Sequence, residues 1–310
     1  MAEIEARQLA LGDAAARQLA NATKTVPQLL SITPRWLVHL LPWVGVEAGI
    51  YRLNRVQDES RVLTACSQRD ERDLPETFVD YDEHPREYFL QAVTTTVDIH
   101  TRISDLYSSP HDQIQQQLRL AIETIKERQE DELINSPEYG LLNNIAEGQS
   151  ISTLTGAPTP DDLDELITKV WKEPAFFLAH PTAIAAFGRE ATRRGVPPPT
   201  VNLFGSPFLT WRGLPLIPTD KLQVENGQTN ILLLRTGESR QGVVGLYQPG
   251  LPGELGLGLS VKFMGISRKA IASYLISLYT SLAVLTEDAL AVLENVDVGK
   301  YHDYQHQYAK

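Results

Sequence analysis

The run from Phe176-Phe177-Leu178-Ala179-His180-Pro181 through Phe204-Gly205 to Trp211-Arg212-Gly213-Leu214-Pro215-Leu216-Ile217-Pro218 constrains the fold more than any other part of the chain. Consecutive apolar residues ahead of a proline predict a strand buried on both faces. Pro181 then suits the first turn of a helix, with Ile184, Ala185, Phe187 and Gly188 facing inward and Gly195 closing it. A Pro-rich loop follows, then short strands broken by Gly and Pro. Nothing in this run offers a nucleophile, a metal cage or a phosphate cradle. The most regular part of the protein is built for shape.

The rest of the chain narrows the function by exclusion. The 310 residues are 42% hydrophobic, enough for a real core. A formal net charge of −11, with no basic run longer than Arg193-Arg194, argues against a general nucleic-acid binder. Cys66 is the one cysteine, which excludes an intrachain disulfide and a thiolate metal cage and fits a reducing cytoplasm. The start, Met1-Ala2-Glu3-Ile4-Glu5, is acidic where a secretory signal needs positive charge. Trp36-Leu37-Val38-His39-Leu40-Leu41-Pro42-Trp43-Val44 is too short to span a bilayer and is interrupted by His39 and Pro42. A packing segment is the first reading of it. Two tryptophans keep an interfacial membrane contact as the second.

Along the chain, residues 5–20 suit a helix, and Thr33-Pro34 starts a short apolar one. Both have little local surface to pack on, so a sister copy is the expected support. Ile50–Val56, Arg61–Ala65, Thr77–Tyr81 and Glu87–Val97 are β-rich, with a polar stretch from Ser67 to Glu76. A long hairpin with a charged tip is the economical reading. Residues 108–134 carry the clearest helix. Ser109, Pro110 and Asp112 form its start. Ile114, Leu118, Ala121, Ile122, Ile125 and Leu133 share one face, and Glu123, Lys126, Glu127, Arg128, Glu130 and Asp131 are expected on a solvated or interfacial face. Thr159-Pro160-Asp161-Asp162 starts a further helix, to about Lys172. Strands are expected at about 201–204, 208–217, 230–235 and 242–248, then a flexible loop at 250–258. Residues 259–265 and 269–293 return to the core, ahead of a polar tail from Lys300.

Candidate chemistry is sparse. His302-x3-His306 has helical metal-ligand spacing but no third ligand. Gly256-x-Gly258 lacks the strand–helix setting of a dinucleotide fingerprint. Asp98 and His100 share a strand face, and Ser104 completes no convincing triad with them. Asp161, Asp162, Asp164 and Glu165 are explained by a helix start. No catalytic residue, metal or cofactor is expected.

The order of parts resembles the major capsid proteins of tailed phages and the encapsulins of the same fold. The wording is closer still. Ala14-Ala15-Ala16-Arg17-Gln18-Leu19-Ala20-Asn21-Ala22-Thr23-Lys24-Thr25, then Asp98-Ile99-His100-Thr101-Arg102-Ile103-Ser104-Asp105-Leu106-Tyr107-Ser108-Ser109-Pro110-His111-Asp112-Gln113, then Glu173-Pro174 through Gly195, are similar to family 2 encapsulins. The likeness covers nearly the whole chain, with the first ten residues and the tail least matched.

That resemblance implies a non-enzymatic α+β shell protein with the tailed-phage capsid fold. An N-terminal arm would occupy 1–47, an extended hairpin loop 48–104, a peripheral domain 105–175 and 269–296, an axial domain 176–268, and a tail 297–310. About sixty copies would close an icosahedral compartment in the cytoplasm. No cyclic-nucleotide-binding insertion is present, which fits the simpler subgroup. Its cargo is a cysteine desulfurase of sulfur metabolism, targeted by a disordered N-terminal extension of the cargo. No nucleic acid and no membrane insertion are implied. By position, Arg193, Arg194, Gly195, Val196, Pro197, Pro198 and Pro199 would line five-fold pores, with the loop of Gly250, Glu254, Gly256 and Gly258 as a second candidate. A phage or prophage capsid subunit and a peripheral membrane protein are the alternatives.

Overall fold

The computed structural model describes residues 31–56, 63, 76–100, 113–269 and 271–301. The expected helix at 5–20, the charged tip after Ser67, Cys66, Ser104, the Ser109–Asp112 cap and His302/His306 lie outside them. In chain order the elements begin with α1 (Trp36–Leu40), β1 (Trp43–Gly45), β2 (Ile50–Leu53), β3 (Arg86–Phe89), β4 (Gln91–His100) and α2 (Gln113–Asn135). Then come β5 (Ser150–Ser152), α3 (Pro160–Lys169), β6 (Phe176–Ala179), α4 (Pro181–Arg193), β7 (Thr200–Leu203), β8 (Ser206–Trp211), β9 (Leu214–Pro218) and β10 (Gln228–Leu234). The last are β11 (Val243–Tyr247), β12 (Glu254–Gly256), β13 (Leu259–Ile266), β14 (Ile271–Val284) and β15 (Leu290–Asp297).

Two large sheets organise them, and β2 and β3 pair in a two-stranded sheet of their own. The first runs β1-β11-β14-β13-β12, with β4 on the same edge of β14 as β11. β14 is 14 residues long. Its last five residues, Thr280–Val284, pair with β11, and its first part, Ile271–Thr280, pairs with β4. Helix α2 lays Leu118, Ala121, Ile122 and Ile125 onto Val93, Val97, Ile276 and Leu278 of this sheet. These are the apolar positions that helical spacing predicts.

The second sheet runs β5-β15-β10-β6-β9-β8-β7. Strand β6 is buried at every residue, as an apolar run without alternation requires. Phe177 and Ala179 meet Leu163, Leu166, Ala183 and Phe187 of α3 and α4 on one face. Phe176 and Leu178 join the larger core on the other, with Leu37, Leu133, Ile134, Leu232 and Leu282. That core reaches both sheets. Each large apolar side chain in it contributes about 1.5–3 kcal/mol by leaving water.

The chain passes between the two sheets through α2, from β4 to β5, and crosses directly at residues 235–242 and 285–289. Arg235 ties the crossings together. It is 1% exposed, donates to Asp288 at 2.6 Å and to the Thr286 hydroxyl at 2.6 Å, and its backbone N–H reaches the Ala289 carbonyl at 2.8 Å. The guanidinium of Arg235 holds the Asp288 carboxyl far below the usual range.

Several expectations are corrected. Glu127 and Glu130 are buried, although helical spacing sets them with the charged residues of α2, because residues 33–37 lie over them. Helix α3 stops at Lys169, short of Lys172, with Val170 buried behind it. In α4, Ala183 and Ala186 point inward and Ala185 outward, a rotation of the face that seats Phe187 against Trp211. Tyr81 makes a single bridge to Val56, and no strand forms at 77–81. The 250–258 loop contains β12, so it is a short hairpin on the sheet edge. Residues 243–266 pair in the sheet braced by α2, and β15 lies inside the other sheet. Apolar strand faces select these partners, and the direct crossings at 235–242 and 285–289 make the exchange possible.

Candidate assembly and pore surfaces

The arm segment from Thr33 is held by three carboxylates on one face of α2. Glu127 accepts the Thr33 N–H at 2.8 Å, the Thr33 hydroxyl at 2.9 Å, Arg35 at 3.1 Å and Lys221 Nζ at 2.9 Å. Glu123 takes Arg35 at 2.7 Å, and Glu130 accepts the Leu37 N–H at 3.1 Å. Beyond the helix, the Trp36 ring packs against Phe204 and Phe208, at 5.7 and 5.3 Å between centroids. Leu37 and Leu41 enter the main core, and the Trp43 indole N–H donates to the Val38 carbonyl at 2.9 Å.

The segment after Thr33 packs on its own subunit, as the first reading of it expects, and its two tryptophans are half-buried there. No described helix is long and apolar enough to cross a bilayer.

Burial sets the charges of this latch apart. It pushes the Glu127 carboxyl upward, but hydrogen bonds from Thr33 and Lys221 outweigh it and hold the group below its ordinary value. Glu130 has one backbone donor, and desolvation lifts it to about 7. A carboxyl raised on folding favours the protonated native state. Its stabilising contribution is whole below the ordinary value of 4.5 and is lost as pH rises through about 7. Protection of the Leu37–Leu41 amides, taken as exchange corrected for its intrinsic base-catalysed rise, is therefore expected to fall from pH 5 to 7, by roughly tenfold or more, and Glu130→Gln to remove that dependence. Lys221, Glu127 and Asp220 face the same carboxyl and adjust the midpoint that burial sets.

Helix α4 ends in a left-handed turn at Gly195, φ +80°. The Gly195 N–H reaches the Thr192 carbonyl at 3.0 Å and the Val196 N–H reaches Ala191 at 3.0 Å, the paired closure that lets a chain leave a helix without orphan carbonyls. Arg193 and Arg194 both hold buried Glu190 at 2.9 Å, and Arg194 also reaches Asp161 at 3.4 Å. The Pro199 carbonyl accepts from the Thr210 N–H and hydroxyl at 2.8 and 3.1 Å. Pro197, Pro198 and Pro199 have fixed φ angles and no N–H. The result is a stiff, exposed turn whose guanidiniums are partly neutralised.

The second candidate loop sits on the other sheet. Glu254 accepts the Gly250 N–H at 3.1 Å, and a Cβ at Gly258 would lie 2.4 Å from the Tyr279 carbonyl. The structure therefore does not bring Gly250, Glu254, Gly256 and Gly258 together with residues 193–199.

The remaining candidate groups have structural employment. Asp98 accepts the Ser273 hydroxyl at 2.5 Å, and Asp162 closes a capping box with Thr159. Asp164 accepts the Trp211 indole N–H at 2.7 Å and Arg212 at 2.8 Å. Among the described residues no group of His, Cys, Asp and Glu could hold a metal ion. Sequence reasoning missed the arm latch and the Arg235 clamp. One signal was available for the latch, since Glu130 precedes Leu133 and Ile134 by three and four residues and so shares their face.

The family model for the SrpI-like type 2A encapsulin shell protein matches residues 50–300. The chain belongs to the type 2A encapsulin shell proteins. It is 75% identical over 301 residues to the shell protein SrpI of Synechococcus elongatus, covering 97% of this chain and 98% of that one. A type 2A encapsulin shell protein of Mycolicibacterium paratuberculosis is 69% identical, over 96% of this chain and 97% of its own. The solved holo-SrpI encapsulin complex of Synechococcus elongatus, a cryoEM structure, superposes with a TM-score of 0.82 at 72% identity, covering 96% of this chain and 99% of that chain. The capsid of a native GTA particle matches with a TM-score of 0.59 at 14% identity, over 93% of this chain and 100% of that chain, and so shares the fold alone. This encapsulin therefore has the α+β capsid-like fold, and its role is to build the shell of a nanocompartment. The phage-capsid alternative is set aside by the family match.

Proposed function

We propose that this encapsulin closes an icosahedral shell of about sixty copies around a cargo enzyme, and that the cargo is a cysteine desulfurase carried in by its own disordered N-terminal extension. The observation that carries the closed shell is the 72% identity to the subunit of a holo encapsulin complex across nearly the full chain. The desulfurase rests on the resemblance to family 2 encapsulins without a nucleotide-binding insertion. The shell itself performs no catalysis, and the compartment stands in the cytoplasm. Residues 193–199 line its five-fold pores, where three successive prolines keep the rim rigid and the shared carboxylate of Glu190 moderates the field of Arg193 and Arg194.

Particles purified from the native source, imaged by electron microscopy and inventoried by mass spectrometry, test both halves. The expected result is closed particles carrying a pyridoxal-dependent desulfurase at stoichiometric abundance. A well-folded monomer removes the shell. Closed particles with a different enzyme, or with nucleic acid as the contents, remove the desulfurase and leave the shell.

A further inference from the structure

A cavity of about 450 Å³ opens where the end of α2 meets the start of β10 and the end of β15. Its size is that of small-molecule sites, about 300–1,000 Å³. The chemistry of its wall is one-sided. Six side-chain amides line it, those of Asn135, Gln223, Asn226, Gln228, Asn230 and Asn295. Among the described residues no Lys, Arg, His or aromatic side chain joins them, and Glu225 is the one ionisable group. Leu142 and Leu222 form a small apolar patch.

The backbone gathers these groups. Strand β6 pairs with β10 only from Ile231 onward, so residues 228–230 have no strand on that side. On the other side the register with β15 shifts between Thr229 and Ile231. Asn230 therefore faces both Glu294 and Asn295, a bulge in β15 with Asn295 at φ +59°. Asn226 turns the chain ahead of β10 at φ +52°. Asparagine tolerates this left-handed region better than most side chains, so it serves the turns and the wall at once.

Exposed amides can be satisfied singly by bulk water, so they make no site by themselves. Thr229 decides the matter. It is 5% exposed, it lines the cavity, and its hydroxyl has no partner among the described residues. A buried hydroxyl of this kind calls for an occupant to bond with. Asn135 points the same way. Its Nδ2 donates to Asp131 at 2.8 Å and to the Lys221 carbonyl at 2.9 Å, which uses both hydrogens and leaves the amide oxygen as a spare acceptor.

We propose that this cavity binds a neutral polyhydroxylated ligand of the sugar class. A hydroxyl both donates and accepts, as an amide does, so it can be held between two amides or between an amide and Thr229. Leu142 and Leu222 suit the C–H face of a sugar ring. Glu225 accepts from hydroxyls and repels anions, and the wall has no cation to hold a phosphate or a carboxylate. The site is independent of what the compartment encloses.

Particles assembled and kept in maltose provide the test, since a closed wall then does not limit access. Saturation-transfer NMR reads the binding, and cryo-electron microscopy locates it. The expected result is saturation transfer to maltose, with sugar density against Thr229 and Asn230. Maltobionate, the same skeleton carrying a carboxylate, should bind about tenfold more weakly or worse. Thr229→Val removes a hydroxyl that bonds to nothing in the protein, so particle yield and thermal stability should hold. Maltose should nevertheless bind about three- to tenfold more weakly to that variant. A Thr229 with only a structural role would give the reverse. Absent saturation transfer, or a cavity that holds ordered water alone, overturns the proposal. So does maltobionate binding as well as maltose, or Thr229→Val binding as the wild type does.

Discussion

Asp288→Ala is expected to cost about 3–5 kcal/mol of folding free energy, the largest loss of any single change away from the apolar core. The reason is Arg235, which is 1% exposed and would keep its charge with only the Thr286 hydroxyl at 2.6 Å to answer it. Lys172, 3.0 Å from the same carboxylate, would lose its partner as well. Because the clamp sits where the chain crosses between sheets, the loss should also loosen the angle between them, so particles that form should be irregular in size. Chemical denaturation of the variant measures the first effect and electron microscopy the second. Arg235→Met combined with Asp288→Leu serves as the control. Removing both charges leaves nothing buried and unpaired, so the double variant should be more stable than Asp288→Ala. If the single change costs less than about 1 kcal/mol, the clamp is not what holds the crossings.

Glu127→Ala is the second large effect, and its expression is local. The carboxylate receives Thr33 twice, Arg35 and Lys221, all within 3.1 Å. Arg35 would keep Glu123 at 2.7 Å and Lys221 would keep Asp220 at 2.9 Å, so the cost should stop at about 2–3 kcal/mol. Spent on one segment, that is an acceleration of amide exchange at residues 33–41 by about 30- to 150-fold, with the strands of the second sheet unchanged. Glu127→Gln keeps an acceptor for the Thr33 N–H and should fall between. Equal exchange in all three proteins would show that the aromatic contacts of Trp36 hold the arm alone. Truncating the whole arm is a poor substitute for this variant, because Leu37 and Leu41 belong to the main core.

The sequence carried much of this fold. The unbroken apolar run of β6, the Pro181 start and Gly195 stop of α4, and the spacing along α2 each follow from local chemistry. The family followed from long matching blocks, which local periodicity could not have supplied. What stayed hidden depended on distant partners. Glu127 and Glu130 look solvated until residues ninety or so positions earlier are laid over them. Arg235 gives no local hint that Asp288 will meet it. Exposure alternates cleanly along a strand only where one face is wet, so β14, which supports helix α2 and pairs with three strands, concealed which sheet its neighbours would join. The turn at 193–199 was found by position in the family, and its rigidity became visible only through the Thr210 contacts of Pro199.

The long strand β14 has a mechanical consequence. If neighbours grip a subunit near its two extremities, outward pressure from the contents pulls along the strand axis. The backbone hydrogen bonds to β13, β4 and β11 run across that axis, so they are loaded together in shear and do not unzip one at a time. A wall built this way resists swelling at its middle and yields first where one tile touches the next.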